Sequence, residues 1–279
     1  MIQNVYRRFR VRYFLTEHGK GNYNYIVMDE DYHTEQNIIK IRMIQRALLP
    51  LHVPETGEVH MFSIYRPMEA VGGDFYDIFS ITETSVGICL ADASGHGQTA
   101  ALVASMCKFL IHSMKHRKPQ PKDLLRQLNK SLQETLIREE FLTITYLLLN
   151  KPEYCLKFSC AGQFPILMVR SGEAYKLGTH SIHPPLGLFP DFNFHQDSYI
   201  MVPGDKLLMM TDGILEAKNN KGKMFCDTDF MNVIRLLGHL DGKIFLEKLF
   251  DRFLEFVGST GQTDDWTIVV LEREPSRKR

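Results

Sequence analysis

The chain has 279 residues, 44% apolar and 24% charged, with 33 Lys+Arg against 33 Asp+Glu and a formal net charge of zero. That is an ordinary composition for a folded globular protein with a sizeable core, and the balanced charge leaves no global field to favour nucleic acid or an acidic membrane. No apolar run approaches the roughly 20 residues of a membrane span, and the basic N-terminus lacks a signal-peptide core.

Residues 1–33 mix Arg, Tyr and Phe with the Gly/Asn-rich stretch "EHGKGNYNY", and no period of domain length is present. Their "RRFRVR" run reads as a solvated strand or the remnant of a larger upstream module rather than a phosphate grip. Residues 34–50, "TEQNIIKIRMIQRALLP", place Ile38, Ile41, Ile44 and Leu48 at helical spacing until Pro50 stops the pattern, so an amphipathic linker helix is expected. Ile41, Ile44 and Leu48 also make a short a/d seam, which would allow a homodimer through residues 34–49.

From Val59 the texture is mixed. "VHMFSIYR" alternates as a half-buried strand and "SVGICLAD" reads as a buried strand ending in acid. Two helical patterns follow, the second with Leu124, Leu128, Leu132 and Leu136 on one face. "FLTITYLLLN" and "YCLKFSCAG" flank a turn at "KPE", and "PILMVR" and "EAYKL" flank "SG", so two hairpins are expected. Strands at "DSYIMV" and "DKLLMMTD", helices within 228–239 and 243–257, and a last strand "WTIVVLE" complete the chain. Helices in pairs and strands in hairpins argue for antiparallel sheets covered by helices. The five cysteines (Cys89, Cys107, Cys155, Cys160, Cys226) are scattered, with no C-x-x-C pair for zinc, and suit buried apolar positions in a reducing cytoplasm.

Four stretches break the strand rules alike: "GGDFYD" (Asp74, Asp77), "LADASGHG" (Asp92), "LLMMTDG" (Asp212) and "GQTDDWT" (Asp264, Asp265). Each puts aspartate at the end of an apolar strand, where its acceptor side chain competes for the backbone. Any one of them could be a turn residue. Together, acids at the ends of core strands converge, and converging carboxylates repel one another unless cations neutralise them. Hard divalent cations such as Mg²⁺ or Mn²⁺ suit such an all-oxygen environment, and the glycines are expected to clear room for waters and substrate. Asp77, three residues past Asp74, falls on the opposite face of a regular strand and is expected to be structural.

"VGGDFYD", "ADASGHG", "CAG", "PPLGL", "GDKLLMMTDGILEA" and "TDDWTIVV", in this order, resemble the metal-dependent serine/threonine protein phosphatases, specifically the bacterial SpoIIE/RsbU-type branch. The resemblance implies an α+β fold: a four-layer αββα sandwich of two antiparallel β-sheets flanked by helix pairs, preceded by the linker helix. It divides the chain into a segment 1–33, the helix 34–50, a phosphatase domain 51–273 and a tail 274–279. It implies two divalent cations, Mn²⁺ or Mg²⁺, held by Asp74, Asp92, the carbonyl of Ala93, Asp212 and an aspartate of "TDDWT", with Asp264 favoured over Asp265. His96 becomes a candidate general acid, and a histidine held by local backbone is an equal alternative.

Phosphoserine carries close to two negative charges, so two cations at these residues would bind the phosphate and lower the pKa of a water, and the mechanism expected is in-line hydrolysis with no covalent phosphoenzyme. By the same resemblance the substrate is a phosphorylated anti-anti-sigma protein in a cytoplasmic partner-switching pathway, with no nucleic acid or membrane involved. A pseudophosphatase that docks a partner without turnover is the alternative. Gln163, Phe164 and Pro165 depart from the family's usual His or Asn followed by paired prolines, which marks a substrate-facing loop that differs. Trp266 stands where a smaller side chain is usual and is expected to pack.

Overall fold

The computed structural model describes residues 11–17, 23–29, 43, 49–50, 53–137, 140–178, 183–227 and 230–275. The chain divides into two units, Met1–Met43 and Ile44–Arg279. In the first, β1 (Val11–Glu17) and β2 (Tyr23–Asp29) pair antiparallel, with Val11 opposite Asp29. The linker helix expected over 34–50 lies outside the described residues apart from Met43, which is helical, Leu49 and Pro50.

The second unit holds two five-stranded antiparallel sheets. One contains β4 (Asp74–Ser80), β5 (Ser85–Ala93), β6 (Leu142–Asn150), β7 (Cys155–Ala161) and β10 (Asp197–Ile200), in the order β10-β7-β6-β5-β4. The other contains β3 (Val59–Arg66), β8 (Leu167–Arg170), β9 (Glu173–Lys176), β11 (Lys206–Met210) and β12 (Trp266–Arg273), in the order β3-β12-β11-β8-β9. The helices are α1 (Gly97–Met114), α2 (Pro121–Thr135), the short α3 (Asp212–Leu215), α4 (Phe230–Leu237) and α5 (Gly242–Val257).

Three apolar layers explain the run-like strands. Ile88 and Leu90 of β5 and Leu147 and Leu149 of β6 meet Met209, Val269 and Leu271 between the sheets. On the other face of β5, Cys89 and Ala91 pack with Val103, Cys107 and Ile111 of α1 and Leu124, Leu128 and Leu132 of α2. Leu208, Met210, Ile268 and Val270 face Ile234 of α4 and Phe245, Leu249 and Phe253 of α5. Strands covered on both faces read as continuous apolar sequence, which is the texture of "VGICLA". The result is the αββα sandwich expected from the sequence.

Local chemistry sets the boundaries. Ser171 and Gly172, both at positive φ (51° and 81°), form the tight turn that the twist of the β8–β9 hairpin requires. α2 opens on Pro121, and α5 opens on Asp241, whose carboxylate accepts from Ile244 N at 3.1 Å. Trp266 is buried, edge-on to Phe250 and Phe253, as expected of a packing residue. Cys89 and Cys107 are buried, whereas Cys155, Cys160 and Cys226 are only partly so, correcting the expectation of five buried thiols. Among the described residues no helix is long and apolar enough to cross a membrane.

An early connection links the two sheets. β3 belongs to one and β4 to the other, so residues 67–73 carry the chain across the seam between them.

Candidate functional site

The antiparallel pairing of β4 with β5 sets Asp74 directly opposite Asp92, a placement that like charges disfavour. On the second sheet β11 and β12 are neighbours, with Met210 opposite Ile268. Asp212, just past the end of β11, therefore lies beside Asp264 and Asp265, just before β12. The pair and the trio meet across the seam. The Asp92 carboxyl is pushed up to about 8, first by burial and then by the carboxylates of Asp212, Asp264 and Asp265.

Asp74 is buried and its carboxyl is raised well above the usual range by that burial and by Asp92, against hydrogen bonds from Thr267 and Thr211. Thr211 Oγ1 donates to Asp74 Oδ2 at 2.8 Å, and Thr267 Oγ1 donates to the same oxygen. Asp212 is raised by burial and then by Glu216, and Asp264 by burial and Asp212, each partly offset by a backbone N–H. Asp212 and Asp264 line an open cleft of about 340 Å³ together with Glu216, Lys218, Thr260 and Thr263.

The two aspartates of "TDDWT" separate by partner. Asp265 is buried, and its carboxylate accepts from Met68 N at 2.7 Å and Asp74 N at 3.2 Å, pinning the 67–73 crossover. Asp264 faces the cleft. A Cβ on Gly72 would collide with the Asp265 carboxylate, and one on Gly213 with the Asp265 carbonyl. A Cβ on Gly73 would lie 2.6 Å from Ala93 O and 3.4 Å from Asp92 Oδ1. This corrects the expectation of cleared space for three of the glycines, Gly72, Gly73 and Gly213, which admit other protein groups, whereas Gly95 and Gly261 have nothing within 4 Å and Gly261 borders the cleft of Asp212 and Asp264. Gly73 leaves the Ala93 carbonyl and the Asp92 carboxylate side by side, while Ala93 N donates to Gly73 O at 3.2 Å.

His96 precedes α1 with a side chain 63% exposed, and its Nδ1 lies 2.9 Å from Oε1 of Glu69 on the crossover. A carboxylate, not local backbone, orients it. Asp77 points to the opposite face from Asp74, pairing with Lys108 at 3.0 Å and His112 at 2.6 Å and so fastening α1 to β4. Glu69, Thr211 and Thr267 do not stand out from sequence. The threonines carry a faint signal, each lying next to a residue of an acid motif ("TDG", "DWT").

Among the described residues, no three His, Cys, Asp or Glu side chains already converge on one ion position. The donor set nonetheless fits hard divalent cations: it is all oxygen, and its carboxylates repel one another in a buried setting that such an ion would relieve. Mg²⁺ in particular takes one or two carboxylates and keeps several waters.

Comparison with known proteins identifies the family and the fold. The sequence profile of the family described as Stage II sporulation protein E (SpoIIE) matches residues 82–274, so Asp74 precedes the matched stretch and joins it through the β4–β5 pairing. Phosphoserine phosphatase RsbU of Bacillus subtilis (strain 168) is 25% identical over 234 residues, 83% of this chain and 68% of RsbU. Phosphoserine phosphatase RsbP of the same organism is 26% identical over 188 residues, 66% of this chain and 46% of RsbP. The chain thus spans about two thirds of the first and under half of the second. The SiaA-PP2C domain of Pseudomonas aeruginosa shares the fold, with a TM-score of 0.72 at 21% identity over 85% of this chain and 96% of that domain. With the profile matching more than half of its length, and with the PP2C-like sandwich beneath it, the chain belongs to the SpoIIE family.

Proposed function

We propose that the protein is a divalent-cation-dependent phosphoserine/phosphothreonine protein phosphatase acting on a signalling protein. The carrying observation is the gathering of Asp74, Asp92, Asp212 and Asp264 from both sheets at one seam, where burial and mutual repulsion raise their carboxyls. The relatives RsbU and RsbP, described as phosphoserine phosphatases, support the reading. The substrate we favour is a phosphorylated anti-anti-sigma protein of a bacterial partner-switching pathway in the cytoplasm.

Asp74, Asp92, the Ala93 carbonyl, Asp212 and Asp264 would hold two cations, Mn²⁺ or Mg²⁺. Such ions, when bound, neutralise the phosphate and lower the pKa of a water. Thr211 and Thr267 fix one Asp74 oxygen and leave the other to serve the site. Asp265 acts at one remove by fixing the backbone at Met68 and Asp74. We assign the protonation of the departing serine oxygen to His96, whose Nδ1 lies within hydrogen-bond distance of Glu69. A homodimer through residues 34–49 would add regulation, and light scattering tests it: Ile41→Asp with Ile44→Asp should halve the mass, and an unchanged mass removes the idea.

The test of the activity is phosphate release from a phosphoserine peptide and from p-nitrophenyl phosphate, with Mn²⁺, Mg²⁺ or excess EDTA. Turnover should need the cation and fall by about a hundredfold or more in a folded Asp212→Asn variant. Unchanged turnover in that variant, or none with any cation, overturns the reading.

A further inference from the structure

The cleft that holds Asp212 and Asp264 continues past them. Glu216 on its wall also lines a second depression of about 330 Å³, shared with Gly162, Gln163, Phe164, Pro165 and His183. Phe164 and Pro165 in turn border a small apolar cavity of about 90 Å³ that Leu167, Met210, Leu215 and Phe230 complete. Shared walls therefore link three hollows, from the carboxylates to an apolar end.

The chemistry changes along that path. The first hollow is lined mainly by charged, hydroxyl and glycine residues, the second mixes Glu216, Gln163 and His183 with Cys160, Phe164 and Pro165, and the third is mostly aliphatic and aromatic, with Lys176 and Cys226 also on its wall. An apolar cavity of roughly 150 Å³ takes up a benzene-sized guest, so the third has room for one aliphatic side chain. Phe164, 39% exposed at its lip, gives that guest a partly open wall. The Gln163 amide nitrogen is enclosed with no hydrogen-bond partner among the described residues. Buried polar groups are nearly always paired, and a substrate carbonyl would satisfy this one once the side chain turns into the groove.

We propose that this path seats the polypeptide flanking the phosphorylated residue, with an apolar substrate side chain in the cavity beside Leu215 and Phe230, and the Gln163 amide bonded to the substrate backbone. The assignment rests on the phosphatase reading of the adjoining site. Continuity with that site is the reason to name a polypeptide: the chain of a phosphoprotein continues on either side of the phosphoserine, and this groove leads out of the cleft from charged to apolar footing. The loop at Gln163–Pro165, which departs from the family pattern, is then a selectivity element for apolar residues near the phosphoserine.

The test uses two fluorescein-labelled phosphoserine peptides that differ only in carrying Leu or Ser at the flanking positions, assayed on the full chain with Mn²⁺. The Leu peptide should show about tenfold higher kcat/KM, a size typical of filling or emptying an apolar pocket. In Phe164→Asp, a change at an exposed position, the ratio should fall close to one. Equal kcat/KM for the two peptides, or a preference that survives Phe164→Asp, overturns the groove. Turnover of p-nitrophenyl phosphate by the wild type reads the phosphatase assignment separately. Should no substrate turn over, fluorescence anisotropy still decides: about tenfold tighter binding of the Leu peptide, lost in Phe164→Asp, upholds the groove, and equal binding refutes it.

Discussion

Gly72→Ala isolates the contact on which the acidic seam depends. Gly72 does not occupy the positive-φ region, so alanine suits its backbone, and the obstacle to a methyl group is the Asp265 carboxylate. Displacing that carboxylate breaks its bonds from Met68 N and Asp74 N. Hydrogen bonds to a charged acceptor contribute about 1.5–3 kcal/mol each, so the substitution should cost about 3–6 kcal/mol. For a domain of this size each kcal/mol lowers Tm by about 2–4 °C, so melting should fall by at least about 6 °C. Gly172→Ala is the reference: its φ of 81° strains alanine, but nothing lies within 4 Å, and the cost should be about 1 kcal/mol. Calorimetry in EDTA reads both without cation effects. Combining Gly72→Ala with Asp265→Ala should cost little more than Asp265→Ala alone, because the two share one contact. Equal Tm shifts for Gly72→Ala and Gly172→Ala, or strict additivity in the double variant, would refute the reasoning.

Asp77→Ala strands Lys108, whose side chain is 12% exposed, without its carboxylate; urea titration should show a loss of about 3–5 kcal/mol in stability with m unchanged. Asp205 accepts from Arg170 Nε at 2.7 Å and Nη2 at 2.6 Å, Tyr199 OH at 2.7 Å and Val202 N at 2.8 Å. Because it precedes β11 while Asp212 follows it, Asp205→Ala should lower Tm by several degrees and leave kcat/KM at low temperature within about twofold. The Cys89 and Cys107 thiols are fully buried and pushed up, Cys107 to about 12. An aromatic disulfide reagent should therefore titrate at most Cys155, Cys160 and Cys226 in native protein and all five cysteines in denaturant.

Much of the fold is readable in the chain because local rules and tertiary needs coincide. The hairpins at "KPE" and "SG" carry their own turn chemistry, α2 shows its leucine face, and aspartates at the ends of apolar strands stand out against strand preferences. What sequence does not show is what depends on distant pairs. That Gly72 exists for Asp265, or that Asp74 leans on Thr211 and Thr267, becomes visible only once β12 lies beside β11 at the seam. The glycines read as space for substrate as long as their neighbours are unknown. Only the family resemblance ranks Asp264 above Asp265 in the sequence; their physical difference appears once Asp265 receives the Met68 and Asp74 amides.

The pairing of β12 with β3 has a consequence for biosynthesis. It joins residues about 200 positions apart, Val59 with Arg273 and Arg66 with Trp266, and β12 is an interior strand of its sheet. Contacts of such sequence separation form late, after loop closure has been met elsewhere. A ribosome-bound chain can assemble β4 to β7 with their helices while β3 still waits for its neighbour. Asp264 and Asp265 emerge only just before that last strand. Catalytic competence should therefore switch on in a single late event of synthesis, and a chain that stalls before residue 266 would leave β3 without its partner strand and β11 with an uncovered edge.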